Sequence, residues 1–89
     1  MKAGEENCEK ALRSGEAKLV IISRDASENT KKKFINKAFF YKVPAILYGQ
    51  KQELGRLTGK SASSSICITD ASLGERIKNA VEAESPGGI

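Results

Sequence analysis

The stretch Lys18-Leu19-Val20-Ile21-Ile22-Ser23 decides how the fold is read. Four apolar residues stand in a row with no polar alternation, the pattern of a strand buried on both faces, as in a parallel sheet covered by helices. On its N-terminal side, Gly4 to Ser14 reads as a helix. Cys8, Ala11 and Leu12 give an i, i+3, i+4 stripe, and Gly15 suits the left-handed residue past its end. Glu5 and Glu6 at the start and Arg13 at the finish follow the charge order that the helix dipole favours.

On the C-terminal side, Ser27 can cap a second helix that runs to about Lys42 and stops ahead of Val43-Pro44. Thr30, Phe34, Ala38 and Tyr41, joined by Ile35, mark one face of it. Ala45 to Tyr48 reads as a second strand. Gln50 to Thr58 reads as a third helix, with Leu54 and Leu57 inward and Gly59 as terminator. Ser64 to Thr69 is a third strand carrying Ile66 and Ile68. Ser72 would cap a fourth helix in which Leu73, Ile77, Ala80 and Val81 repeat at helical spacing. This α-β-α-β-α-β-α alternation predicts one α/β domain over residues 1–83, with a largely parallel sheet and helices on both faces. Residues 84–89, Glu-Ser-Pro-Gly-Gly-Ile, read as a disordered tail.

Composition narrows the function classes. The 89 residues are 39% hydrophobic and 29% charged, with a net charge of +4 and no histidine. A chain of this size buries only about 60 to 65% of its unfolded surface, so one economical core is expected. No apolar run exceeds four residues, as at Leu19 to Ile22, far short of the roughly 20 of a membrane span. Glu5, Glu6 and Glu9 interrupt any secretory signal layout, and a cytoplasmic protein is the expectation. Cys8 and Cys67 form no CxxC pair, and without histidine neither a zinc site nor the commonest acid/base catalyst is expected. Two buried, inert thiols are the plain reading.

Candidate binding segments follow from the topology. In an open α/β sheet, sites gather at strand-end loops and helix N-termini, which here selects Gly4 to Asn7, Arg24 to Ser27, Gly49 to Lys51 and Lys60 to Ser63. Gly55-Arg56-Leu57-Thr58-Gly59-Lys60-Ser61 imitates a P-loop but has three residues between its glycines instead of four. It also leaves a helix and not a strand, so Gly59 as a helix terminator is the better account. Lys31-Lys32-Lys33 reads as a solvated helix face or a phosphate-contacting patch, with Glu28 able to pair along the helix. Most of the aromatic residues suit the core, although Phe39 and Phe40 cannot both face inward.

Four segments, in order, resemble one family. They are Gly4-Glu5-Glu6-Asn7-Cys8-Glu9-Lys10-Ala11, then Arg13-Ser14-Gly15-Glu16-Ala17-Lys18-Leu19-Val20-Ile21-Ile22, then Arg24-Asp25-Ala26-Ser27, and last Lys51-Gln52-Glu53-Leu54-Gly55-Arg56 with Thr58-Gly59-Lys60. Together they are similar to the ribosomal protein L-seven-Ae type, which binds kink-turn RNA. Asp25 to Lys32 and Tyr41-Lys42-Val43-Pro44 resemble its bacterial, YlxQ-like branch. The resemblance covers about Lys2 to Ala83. It implies a three-layer α/β/α sandwich with a small mixed sheet, no cofactor and no catalytic activity.

The implied partner is a sharply bent RNA with tandem sheared G·A pairs and an extruded nucleotide, of ribosomal or similar origin, with no membrane or small-molecule ligand. A monomer is the expectation. By position, the resemblance assigns RNA reading to Gly4, Glu5, Glu6 and Asn7, with Lys10 one turn on. Supporting contacts fall at Ser27, Lys31 and Lys51, and the base-sheltering loop at Lys60, Ser61, Ala62 and Ser63. Regular A-form RNA hides its base edges in a deep groove, so such reading needs splayed or mispaired bases. The order Glu6-Asn7 and the polar loop depart from the family pattern, so a protein-interaction module that kept the fold is the alternative.

Overall fold

The computed structural model describes residues 2–59 and 61–84. The element order is β1 (Lys2–Ala3), α1 (Glu5–Ser14), β2 (Leu19–Ile22), α2 (Glu28–Phe40), β3 (Ala45–Leu47), α3 (Lys51–Leu57), β4 (Ser65–Ile68) and α4 (Ala71–Glu84). The strands form one sheet in the order β1-β4-β2-β3.

Strand β2 sits inside that sheet, and all four of its residues are buried. Alternate side chains serve opposite layers. Val20 and Ile22 join Cys67 beneath Cys8, Ala11 and Leu12 of α1 and Phe34 and Ala38 of α2. Leu19 and Ile21 join Ile46, Ile66 and Ile68 against Leu54 of α3 and Val81 of α4. The three-layer α/β/α arrangement follows directly. Gly74 lets α4 lie close, since a Cβ there would come within 3.3 Å of the Leu19 Cβ.

The sheet is mixed, as the family resemblance implies, and not largely parallel, as the alternation of elements alone suggests. Strands β2 and β3 pair in parallel, Val20 opposite Ala45, but β4 runs antiparallel to β2, Leu19 opposite Ile68, and to β1. A strand covered by helices on both faces has the same apolar run whichever way its neighbour points, so hydropathy carried no information on direction. Strand β1 is an addition, too short at two residues to show a pattern.

Four local readings also change. Helix α2 stops at Phe40. Lys42 adopts a left-handed φ of 59°, and the Lys42 and Val43 N–H groups return to the Phe39 and Ala38 carbonyls. Asp70, not Ser72, caps α4, its carboxylate accepting the Leu73 N–H at 3.0 Å. Leu57 is 62% exposed, because α3 buries Leu54 and Gly55 and Leu57 projects from the flank of the helix away from Gly55. Glu84 closes α4, while Lys60 and the rest of the expected tail, 85–89, lie outside the described residues. Phe39 and Phe40 both face solvent. Among the described residues, no helix is long and apolar enough to cross a membrane.

Candidate nucleic-acid interface

The antiparallel β4 has a direct consequence for where loops meet. Strands β1, β2 and β3 leave the sheet at the same end, and β4 enters it there. The N-termini of α1, α2 and α3 therefore converge with the loop ahead of β4. Backbone bonds hold this end closed. Gly4 N–H donates to Ser65 O at 3.1 Å, Ser23 N–H to Ser64 O at 2.9 Å, and Arg24 N–H to Gly49 O at 2.8 Å.

Helix α1 opens without a side-chain cap, from Gly4 at φ 92° and ψ 154°. Only glycine holds that conformation without strain. A Cβ at Gly4 would meet nothing within 4 Å, so the demand is for backbone geometry and an open approach. The first-turn N–H groups and the positive end of the helix dipole face that open space. Asn7 donates one of its two amide N–H groups to Ala3 O at 3.0 Å, which braces the turn and leaves its oxygen to accept.

Ser27 caps α2, its Oγ accepting the Thr30 N–H at 3.2 Å. Its hydroxyl donates to Thr30 Oγ1 at 3.0 Å, and Thr30 in turn donates to Glu5 Oε1 at 2.9 Å. This relay ties the start of α1 to the start of α2. In the sequence Thr30 marks the buried face of the helix. Its signal was its place three residues after a capping serine, a capping-box position.

Lys51 is held at both backbone groups. Its N–H donates to Asp25 Oδ1 at 2.9 Å, and its carbonyl accepts the Ser63 N–H at 2.9 Å. Desolvation opposes ionisation of Asp25, but the hydrogen bond from the Lys51 N–H helps hold its carboxyl below the usual carboxylate range. Ser63 is buried, and its hydroxyl donates to Ser65 O at 2.9 Å. Its role is to fix the loop, while Ser61 and Ala62 are exposed beside it.

These parts enclose a shallow cleft of about 250 Å³ lined by Glu5, Ser27, Thr30, Lys51, Ala62, Ser63 and Ser64. Five of the residues assigned from sequence thus share one cavity wall. Gly4, Glu6, Asn7, Lys10, Lys31 and Ser61 do not line it. Lys60 lies outside the described residues. Two cations of the expected rim are engaged on their own helices: Lys10 with Glu6 at 3.8 Å, and Lys31 with Glu28 at 3.6 Å. The Lys10 pair is exposed at both ends and contributes little, whereas the Lys31 side chain is only 22% exposed. Lys33 and Glu9 form an ion pair between α2 and α1, which holds the Glu9 carboxyl down and the Lys33 ammonium up from their ordinary values. Among the described residues, no group of three or more His, Cys, Asp or Glu is placed to hold a metal ion.

The comparisons agree with this architecture. The chain is 37% identical over 75 residues to the RNA-binding protein YlxQ of Bacillus subtilis (strain 168), covering 84% of this chain and 75% of that protein. It is 34% identical over 79 residues to the RNA-binding protein YlxQ of Enterococcus faecium, covering 89% and 76%. A solved structure of a protein of unknown function from Bacillus halodurans superposes with a TM-score of 0.85 at 36% identity, over 90% of this chain and 81% of that one. A match to the ribosomal protein L7Ae/L30e/S12e/Gadd45 family spans residues 1–77, and the chain belongs to that family.

Proposed function

We propose that this protein binds structured RNA without catalysing a reaction, and that its target is a bent, kink-turn-like RNA with sheared G·A pairs. The observation that carries the reading is the single cleft into which Glu5, Ser27, Lys51 and Ala62 converge beside the uncapped start of α1. Kink-turn bases are splayed, so their edges can reach the first-turn N–H groups of α1 and the Asn7 oxygen. Glu5 and Glu6 can accept from guanine and adenine amino groups. Lys51, with Lys10 and Lys31 released from their helix partners, would neutralise phosphates, and Ala62 with Ser61 would cover an extruded base. The RNA-binding relatives support the class of ligand. A ribosomal target is one form of this reading.

The engagement of Lys10 and Lys31 by neighbouring carboxylates favours a second reading, a protein-interaction module on the same fold. A gel shift against a kink-turn RNA and a variant with both G·A pairs replaced separates the two. The RNA reading expects a clear preference for the intact motif, weakening as salt rises. Equal binding to both RNAs, or none to either at low salt, refutes it. A pull-down that survives ribonuclease would then support the protein module.

A further inference from the structure

Helix α2 leads away from the cleft. Ser27 and Thr30 stand at its cleft end, and thirteen residues later, about 20 Å along the axis, Phe39 and Phe40 stand at the other. Phe39 is 85% exposed and Phe40 73%, with Ile35 and Tyr41 each 37% exposed beside them. Phe40 and Tyr41 meet edge to face, with ring centroids 5.0 Å apart. Exposed aromatic area of this extent on a small domain marks an interaction surface.

Charge identifies the partner. Between Glu28 and Glu53 the chain carries Lys31, Lys32, Lys33, Lys37, Lys42 and Lys51 and no carboxylate. Lys31 and Lys33 are engaged by Glu28 and by Glu9 of α1, while Lys32, Lys37 and Lys42 are the other lysines of α2 and the turn that follows it. Phe39 and Phe40 are neighbouring rings that stand out from α2 into solvent. A nucleobase needs only a flat π-face, and a backbone phosphate needs a nearby ammonium group.

We infer that Phe39 and Phe40 form a stacking platform for unpaired nucleotides that flank the RNA held at the cleft, with the α2 lysines tracking the strand between the two. This inference rests on the RNA reading above and gives it reach and direction. The protein would grip a structured element at one end and a single-stranded extension at the other.

The test is fluorescence anisotropy with three labelled probes: a bare kink-turn hairpin, the same hairpin with about six unpaired uridines at its 5′ or 3′ end, and oligouridylate alone. The wild-type protein is expected to bind one extended hairpin about fivefold or more tighter than the bare one. Phe39→Ala with Phe40→Ala should remove that gain and leave bare-hairpin affinity and the circular dichroism spectrum unchanged, whereas Phe39→Trp should keep it. An extension that adds nothing at either end, or a gain that survives the double substitution, overturns the platform. If the bare hairpin is not bound at all, the cleft reading fails separately. Oligouridylate then decides the platform: binding lost with the two phenylalanines supports it, and no binding overturns it. Phenylalanine-dependent binding of poly-glutamate in place of RNA would assign the surface to an acidic protein and overturn the proposal.

Discussion

The Asp25 carboxylate receives the Lys51 backbone N–H at 2.9 Å, so a residue 26 positions away supplies the cap that Gln50 does not give α3. This bond joins the turn after β2 to a helix of seven residues, too short to persist by itself. Asp25→Ala is expected to lower the melting temperature by a few degrees and to weaken RNA binding, while Asp25→Asn, which retains an acceptor, should lose less. The pH dependence has a definite sign. The folded carboxyl titrates below its unfolded value, so its stabilisation is present above the unfolded pKa and is lost as pH falls through the folded one. Acid unfolding of Asp25→Ala should accordingly show a shallower limb in that range.

Thr30→Val keeps the side-chain shape and removes the hydroxyl that links Ser27 to Glu5. Loss of stability of about 0.5–1.5 kcal/mol is expected by urea titration. RNA affinity should also fall, because Glu5 is then free to swing away from the cleft. Unchanged affinity in a folded Thr30→Val protein would show that the relay does not position Glu5 for binding.

Gly4→Ala should cost about 1–3 kcal/mol, because an alanine cannot take that backbone geometry without strain. The added methyl meets no atom of the protein itself. It projects into the space that RNA would occupy, so affinity should drop by about tenfold or more, a loss of about 1.4 kcal/mol. A stability loss with full RNA affinity would remove Gly4 from the interface.

Cys8 and Cys67 are buried, and the Cys67 thiol donates to Cys8 O at 3.6 Å. Its hydrogen bonding toward Cys8, with burial, pushes the Cys67 thiol up, so it is not a thiolate near neutrality. In the native protein, iodoacetamide should label neither cysteine on the timescale that labels both in urea. Rapid native labelling, read by intact mass, would contradict the packing of α1 on β4.

Lys42→Gly should raise stability by about 0.5–1 kcal/mol in urea titration, since a left-handed φ of 59° strains lysine and not glycine. The same variant should lower the gain from an RNA extension by removing one platform cation.

Elements with strong periodicity were legible from the chain. Leu19 to Ile22, the Cys8-Ala11-Leu12 stripe and the Ser27 cap all stand where the sequence places them. Strand direction was not legible, because an apolar run is the same for parallel and antiparallel partners. The contacts that shape the cleft were the least legible. Asp25 to Lys51 and Thr30 to Glu5 join residues 26 and 25 positions apart, and no local pattern encodes such distant bonds. Asp70 is not distinguishable as the cap from sequence, because Ser72, two positions later, is an equally good capping residue by type. Of the residues assigned from sequence, Glu5, Ser27, Lys51, Ala62 and Ser63 line one cleft.

Because Glu5, Ser27 and Thr30 ride on the layer built around Phe34, whereas Lys51 rides on the one built around Leu54, the cleft straddles the sheet like a clasp across a hinge. Neither hydrophobic half can form the clasp alone. Ligand occupancy would therefore report on both halves at once, and a bound partner should slow hydrogen exchange in α3 as much as in α1.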